Sequence, residues 1–375
     1  MRTSTPMTTT SVNPWRLVAT TVALAVSLVW ALSARAAEES KGQADLDKAF
    51  ELQLSAEKFT DLGEVVAFCR SSLKKGLDAD NTKFAKQLLA STLYQRGEMV
   101  AKAVLEATRP DPQLPQMRNT ALSELEEALE NEPELPAAQL LVARLHLVRG
   151  GDSKRAREAL DSIVKSHQAE NTDRAKAHMY RSVLDAEAKD RMTDLDESIR
   201  LNPAEAQAWR MRAALKLSLD KPDDAVKDFD EALKLDPKHA QTHEARGLAL
   251  ASQKNWEEAK KSLTRATELA PSSTAALLQR GRVSLIMGDN KAAIADAEAA
   301  LKAVPNLPSA LLLRSHARNA AGDKKEAMAD VELVLKEFPD AAEALRTRAM
   351  LILESGKGDD AVDDLEKLHK IEPDD

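Results

Sequence analysis

Five arginines recur along the C-terminal half of the chain: Arg212, Arg246, Arg280, Arg314 and Arg348. Four are followed, sixteen residues on, by an aspartate: Asp228, Asp296, Asp330 and Asp364. Arg246 faces Ser262 instead. A guanidinium offers a planar fork of donors that suits a carboxylate or a phosphate. Two chemistries are therefore open, an exposed stripe that holds anions or an internal ladder of ion pairs. Sixteen residues carries a chain from one helix of a hairpin to the other, which favours the ladder. Other reactive side chains are sparse. Cys69, the single cysteine, sits in Val65-Val66-Ala67-Phe68-Cys69. It reads as a small buried hydrophobe rather than a nucleophile, and it cannot form a disulfide within the chain. His239 and His243 have the spacing of a zinc-binding helix pair, but Pro237 places His239 in a turn. They read as capping or solvated histidines. No G-x-x-x-x-G-K-S/T, G-x-S-x-G or H-E-x-x-H occurs. The expectation is a protein that is not an enzyme, with no metal and no cofactor.

Composition narrows the elements that carry these residues. Aromatics are 3% of the 375 residues, so Leu, Val and Ala must build the core. Short side chains suit closely packed helices better than a β-sandwich. The net charge is −8, and the first 36 residues contribute three arginines and no acid. The remainder is thus more acidic than the whole. Without a basic stripe, such a body does not suit nucleic acid or anionic lipid.

The N-terminus reads as an address. Leu17 to Leu32 is an apolar run, preceded by Arg16 and followed by Ala34-Arg35-Ala36. This is the layout of a secretory signal peptide over residues 1–36, with cleavage after Ala36. The run also reaches the lower edge of a membrane-spanning length, so a retained anchor is the alternative. Either reading places the body outside the cytoplasm, periplasmic or secreted, or anchored through this segment.

Periodicity fixes the architecture. Prolines fall at 203, 237, 271, 305, 339 and 373, each step 34 residues. The five arginines keep the same step, and so do Ala225, Ala259, Ala293, Ala327 and Ala361. Within unit 206–239, Trp209, Ala213 and Lys216 mark one face of a first helix. Ala225, Phe229 and Ala232 mark a face of a second. Asp220-Lys221-Pro222-Asp223 breaks the chain between them. Gly288, Gly322 and Gly356 occupy the same turn later, where a left-handed residue ends a helix.

This pattern resembles the tetratricopeptide repeat (TPR). Trp209, Ala225-x3-Phe229, Ala232 and Pro237 carry the match in one unit; Gly247, Ala259-x3-Leu263, Ala266 and Pro271 carry it in the next. Regular units are 206–239, 240–273, 274–307, 308–341 and 342–375, within an array over 137–375. Upstream the signature weakens. In 172–205, His178 stands in the arginine position and Arg191 in that of the small alanine. Residues 37–136 read as a divergent helical region with degenerate repeats. There Ala121, Leu125 and Ala128 suggest a second helix whose first helix is Thr82–Ala107. The resemblance implies an all-α, right-handed superhelical solenoid of helix-turn-helix repeats, with first helices on the concave side. It implies a scaffold that binds other proteins or peptide segments. The TPR subtype that clamps chaperone C-termini is not matched, since the equivalent positions hold Arg210, Ala214, Ala245, Ala275 and Gln279.

A binding groove follows from first-helix positions two, five, nine and twelve, which share a face at 100° per residue. They collect Arg210, Leu217, Glu244, Leu248, Leu278, Arg282, Leu285, Leu312, His316, Asn319, Arg346 and Met350. Leu248, Leu278, Leu285 and Leu312 are expected to form an apolar strip, with Arg282 fixing an acidic group of the partner. Two alternatives stand beside the scaffold: a membrane-anchored assembly factor of an envelope complex, and a noncatalytic subunit of an enzyme encoded elsewhere. In the last unit His369 replaces the usual leucine, a polar change suited to a terminal cap. A monomer or a weak end-to-end dimer is expected.

Overall fold

The computed structural model describes residues 40–372. The expected signal segment over 1–36, the expected cleavage after Ala36, and Pro373 lie outside the described residues. Every regular element among the described residues is helical. The chain divides after Pro133 into two bodies.

The N-terminal body holds α1 (Gln43–Gln53), α2 (Phe59–Lys75), α3 (Ala79–Leu105) and α4 (Leu114–Asn131). Leu46, Ala49, Val65, Val66, Cys69, Leu89 and Leu93 close its core. Cys69 is fully buried, and burial pushes its thiol pKa up to about 12, so it stays protonated and inert. The pair α3 and α4 is a stretched version of the downstream units. Gly97 lies against Leu125 and the Ala121 carbonyl, with no room for a Cβ. Gly247 lies in the same way against Leu263 and the Ala259 carbonyl. Just before Gly97, Arg96 forks onto Glu124 with bonds of 3.0 and 2.6 Å, as the downstream arginines fork onto their aspartates. The extra residues sit in the α3–α4 connection, around Arg109-Pro110-Asp111-Pro112. Helix α3 begins earlier and ends earlier than the sequence reading of Thr82–Ala107, because Asp78 caps its first turn through the Asn81 amide.

The C-terminal body opens with α5 (Pro136–Leu147), α6 (Ser153–Lys165), α7 (Asn171–Arg181) and α8 (Ala188–Leu201). The regular pairs follow: α9 (Ala206–Ser218) with α10 (Pro222–Leu235), and α11 (Ala240–Ser252) with α12 (Trp256–Leu269). Next come α13 (Thr274–Ile286) with α14 (Asn290–Ala303), and α15 (Pro308–Ala321) with α16 (Lys324–Glu337). The last pair is α17 (Ala342–Glu354) with α18 (Val362–Ile371), joined through a short 3-10 turn. Pro136, Pro222 and Pro308 each occupy the first turn of a helix, where a missing N–H costs nothing. The helix-to-helix turn keeps one left-handed residue at a fixed place in every regular unit: Asp220, Lys254, Gly288, Gly322 and Gly356. The small alanines Ala225, Ala259, Ala293, Ala327 and Ala361 are completely buried where the two helices meet. Leucine and valine from adjoining units then fill the seams, as Val331, Val334 and Leu335 do against Leu345 and Leu351.

Candidate functional site

The arginine ladder is internal. Arg212 holds Asp228 in a fork of 2.9 and 2.8 Å. Arg314 holds Asp330 at 3.0 and 2.6 Å, Arg280 grips Asp296 at 2.6 Å, and Arg348 binds Asp364 at 2.6 Å. All four aspartates are buried, so these arginines cannot form an anion-binding stripe. Hydrogen bonding to Asp228 raises the Arg212 pKa, and Asp330 and Asp364 do the same for Arg314 and Arg348. Arg246, without an aspartate in its own unit, donates to Ser262 and reaches back to Asp230 of the preceding unit at 2.7 Å. Arg212 also reaches back, to Asp196 at 2.7 Å. The ladder therefore ties helix to helix and, at these rungs, unit to unit.

The irregular unit 172–205 keeps its rung by substitution. His178 stands where arginine is expected and bonds Asp194 at 2.9 Å. Arg181, almost one turn further along α7, supplies the missing fork, at 2.8 and 2.6 Å to Asp194, and reaches Asp161 of the unit before at 2.8 Å. Burial of Asp194 favours protonation, but the bonds from Arg181 and His178 outweigh it and hold the carboxyl below its ordinary pKa. Sequence spacing pointed to the loss at position 178. The compensation at 181 is visible only once α7 is seen to end there.

The two spaced histidines serve the backbone. His239 Nδ1 accepts from the Thr242 amide and caps α11. His243 Nε2 lies 3.1 Å from the Pro237 carbonyl oxygen. No cluster of three or more potential metal ligands occurs among the described residues.

First helices of successive units touch directly: α9 with α11, α11 with α13, α13 with α15, and α15 with α17. Second helices make no comparable contact with one another among the described residues. The C-terminal body therefore curves with its first helices on the inside. His316 Nε2 to Thr347 Oγ1, at 3.1 Å, and Asn319 Nδ2 to Glu354, at 3.0 Å, bridge α15 and α17 on that side.

The expected groove residues divide on this surface. Leu278 and Leu312 do not lie open: they are 8% and 5% exposed, in the seams to the following units. Leu285 packs partly against the same core as Leu278. Position five thus points at the neighbouring unit rather than into the groove, a consequence of how closely stacked first helices approach. Arg210 is drawn to Asp236 at 3.6 Å, and Arg346 to Glu372 at 2.6 Å. Glu244 is half-buried, and that burial raises its carboxyl pKa. His316 is pushed below the ordinary imidazole value, first by burial; nearby Glu343 opposes this and Arg282 adds to it. Leu248 is exposed, and so is Arg282, which forms no ion pair or hydrogen bond with any described residue. Met350, also of the expected stripe, is exposed, and two further apolar side chains join it on the inner face, Ile286 and Leu353. Ile286 is 58% exposed. It lies at position thirteen, one residue beyond the stripe read from the sequence. Counting positions nine and thirteen, which are open in nearly every unit, would have found it.

The family model for the tetratricopeptide repeat matches residues 119–175, 193–240, 210–274 and 245–308. No curated protein sequence matches the chain. Among solved structures, MamA (residues 41 to the end) from Desulfovibrio magneticus RS-1 is similar at 18% identity and a TM-score of 0.42, over 45% of this chain and 95% of that one. YrrB, described as a TPR protein with an unusual peptide-binding site, is similar at 21% identity and 0.41, over 48% and 93%. PilF of Pseudomonas aeruginosa is similar at 21% and 0.44, over 58% and 94%. The chain carries tetratricopeptide repeats over these residues, and its C-terminal body is an all-α array of the helix pairs they form.

Proposed function

We propose that this protein is a noncatalytic scaffold that holds a segment of another protein along the inner face of its C-terminal array. One observation carries the reading. Leu248, Ile286, Met350 and Leu353 stand open on first helices, with the unpaired Arg282 among them. Apolar side chains left in water on a curved inner surface favour a partner that covers them. Arg282 then offers a charge-assisted fork to a carboxylate of that partner and fixes its register. Leu278 and Leu312 support the surface from beneath.

The test is affinity capture from the native source with the full chain and a Leu248→Asp, Ile286→Asp, Arg282→Glu variant, after circular dichroism shows equal helicity. A control variant carries Lys227→Glu and Lys261→Glu on second helices. Loss of a partner by the first variant alone is the expected outcome. Equal recovery by all three would move the site away from the inner face.

Export is proposed from the N-terminal 36 residues, whose charge and apolar pattern support it. Sequencing the native N-terminus tests it: a start at Ala37 agrees, an intact Met1 in membranes favours the anchored assembly factor, and an intact cytosolic chain contradicts both. No described helix is long and apolar enough to cross a membrane. The scaffold is further proposed to be a monomer or a weak end-to-end dimer, which light scattering at several concentrations reads directly.

A further inference from the structure

The junction between α16 and α17 forms a cleft of about 690 Å³. Its apolar lining includes Leu312, Val334 and Phe338. Phe338 is 47% exposed, an uncommon exposure for a phenylalanine in a chain with so few aromatics. Three carboxylates, Glu337, Asp340 and Glu343, stand on the rim. All three residues are exposed, and none of the carboxylates forms an ion pair or a hydrogen bond with a described residue.

The repeat supplies an internal control. Residues that serve the fold recur every 34 positions, as the arginines and alanines do. In the units upstream these acids do not recur, although Asp374 stands at the place of Asp340 in the last unit. The places of Glu337, Asp340 and Glu343 hold Ala303, Asn306 and Ser309 one unit earlier, and Leu269, Ser272 and Ala275 the unit before that. The place of Phe338 holds Val304 and Ala270. Folding thus asks for neither the charges nor the aromatic ring at this junction. Three exposed carboxylates at the rim of one apolar cleft give it a negative charge that a basic partner complements.

We propose that this cleft, where the start of α17 meets the end of α16, is a second docking site for a basic peptide segment with an apolar or aromatic anchor. The anchor side chain seats against Phe338, over the buried Leu312 and Val334 at the floor of the cleft. Lysines or arginines on either side of it meet Glu337, Asp340 and Glu343.

The experiment is fluorescence anisotropy with the full chain and short labelled peptides. Each peptide carries a central Leu, Phe or Trp flanked by lysines, and its control carries glutamates instead. The lysine series is expected to bind, more weakly as salt rises. Glu337→Lys, Asp340→Lys and Glu343→Lys together should weaken binding by about tenfold or more. Phe338→Ala should weaken it without changing the salt dependence. A Glu257→Lys, Glu268→Lys, Asp223→Lys variant, of equal charge change elsewhere, should bind as the parent does. The inner-face variant described above should also bind as the parent does, so failure here and failure of the inner-face reading are separable. Melting temperatures verify that each variant is folded. The proposal is overturned if lysine peptides bind no better than glutamate ones. It is equally overturned if the junction and remote charge variants lose affinity alike, or if Phe338→Ala changes nothing.

Discussion

Asp296 depends on a single guanidinium, whereas Asp330 has two. Arg280 alone forks onto Asp296; Arg314 and Arg318 both reach Asp330, the second at 2.7 Å. Removing one partner of a buried pair leaves an uncompensated charge, at a cost of about 3 kcal/mol. Arg280→Ala is therefore expected to lower the melting temperature more than Arg314→Ala, because Arg318 stays to hold Asp330. Equal losses would show that the second cation does not compensate. Acid sensitivity follows from the rung at Asp194. Its carboxyl titrates lower in the folded chain than in the unfolded chain, where the value is about 3.9. Its stabilisation is thus present above that value and is lost as pH falls through the folded one. Asp194→Asn is expected to flatten the fall in stability below about pH 4, read by acid titration of the helical signal. The pairing itself was legible in the sixteen-residue spacing. Arg181 replacing the missing arginine was not, since a shift of three residues breaks the period even though it keeps the side chain near the same face of a helix.

At the scale of the element, the turn is the feature that varies most in sequence while holding one geometry. Five units place a residue at positive φ, between 55° and 94°, and only three of them use glycine there. Asp220 and Lys254 take the same conformation with a side chain, at a cost of about 1 kcal/mol. Lys254→Gly should therefore raise the melting temperature slightly, the relief being partly offset by a more flexible unfolded chain. Gly322→Val should lower it clearly, because a β-branched residue tolerates that conformation worst. Differential scanning calorimetry distinguishes the two signs. The helical pairs, their 34-residue period and the buried alanines were all readable, since each is a local demand repeated five times. The stretched pair α3 and α4 was readable only in part. Its proline-rich connection stood out, but the equivalence of Gly97 and Arg96 to the downstream positions is hidden by the added residues between them and their partners.

For the array as a whole, the inner face is set by stacking, which no single unit encodes. Helical periodicity placed Leu248 and Arg282 on the open face of the first helices, where they are exposed. It also included Leu278 and Leu312, because 100° geometry on an isolated helix cannot tell which flank a neighbouring helix will cover. Among the described residues no helix packs beyond α18, and Val362, Leu365 and Ile371 stay exposed there. The central claim is that a partner lies against the first helices of the C-terminal array. Site-specific photocrosslinking in the native source tests it most directly, with the reactive group placed in turn at Leu248, Ile286 and Met350 and, for comparison, at Lys227, Lys261 and Ala295 on second helices. The expected result is one common adduct from the first three positions and none of that mass from the others. The same adduct from the second-helix positions, with none from the inner face, would contradict the account.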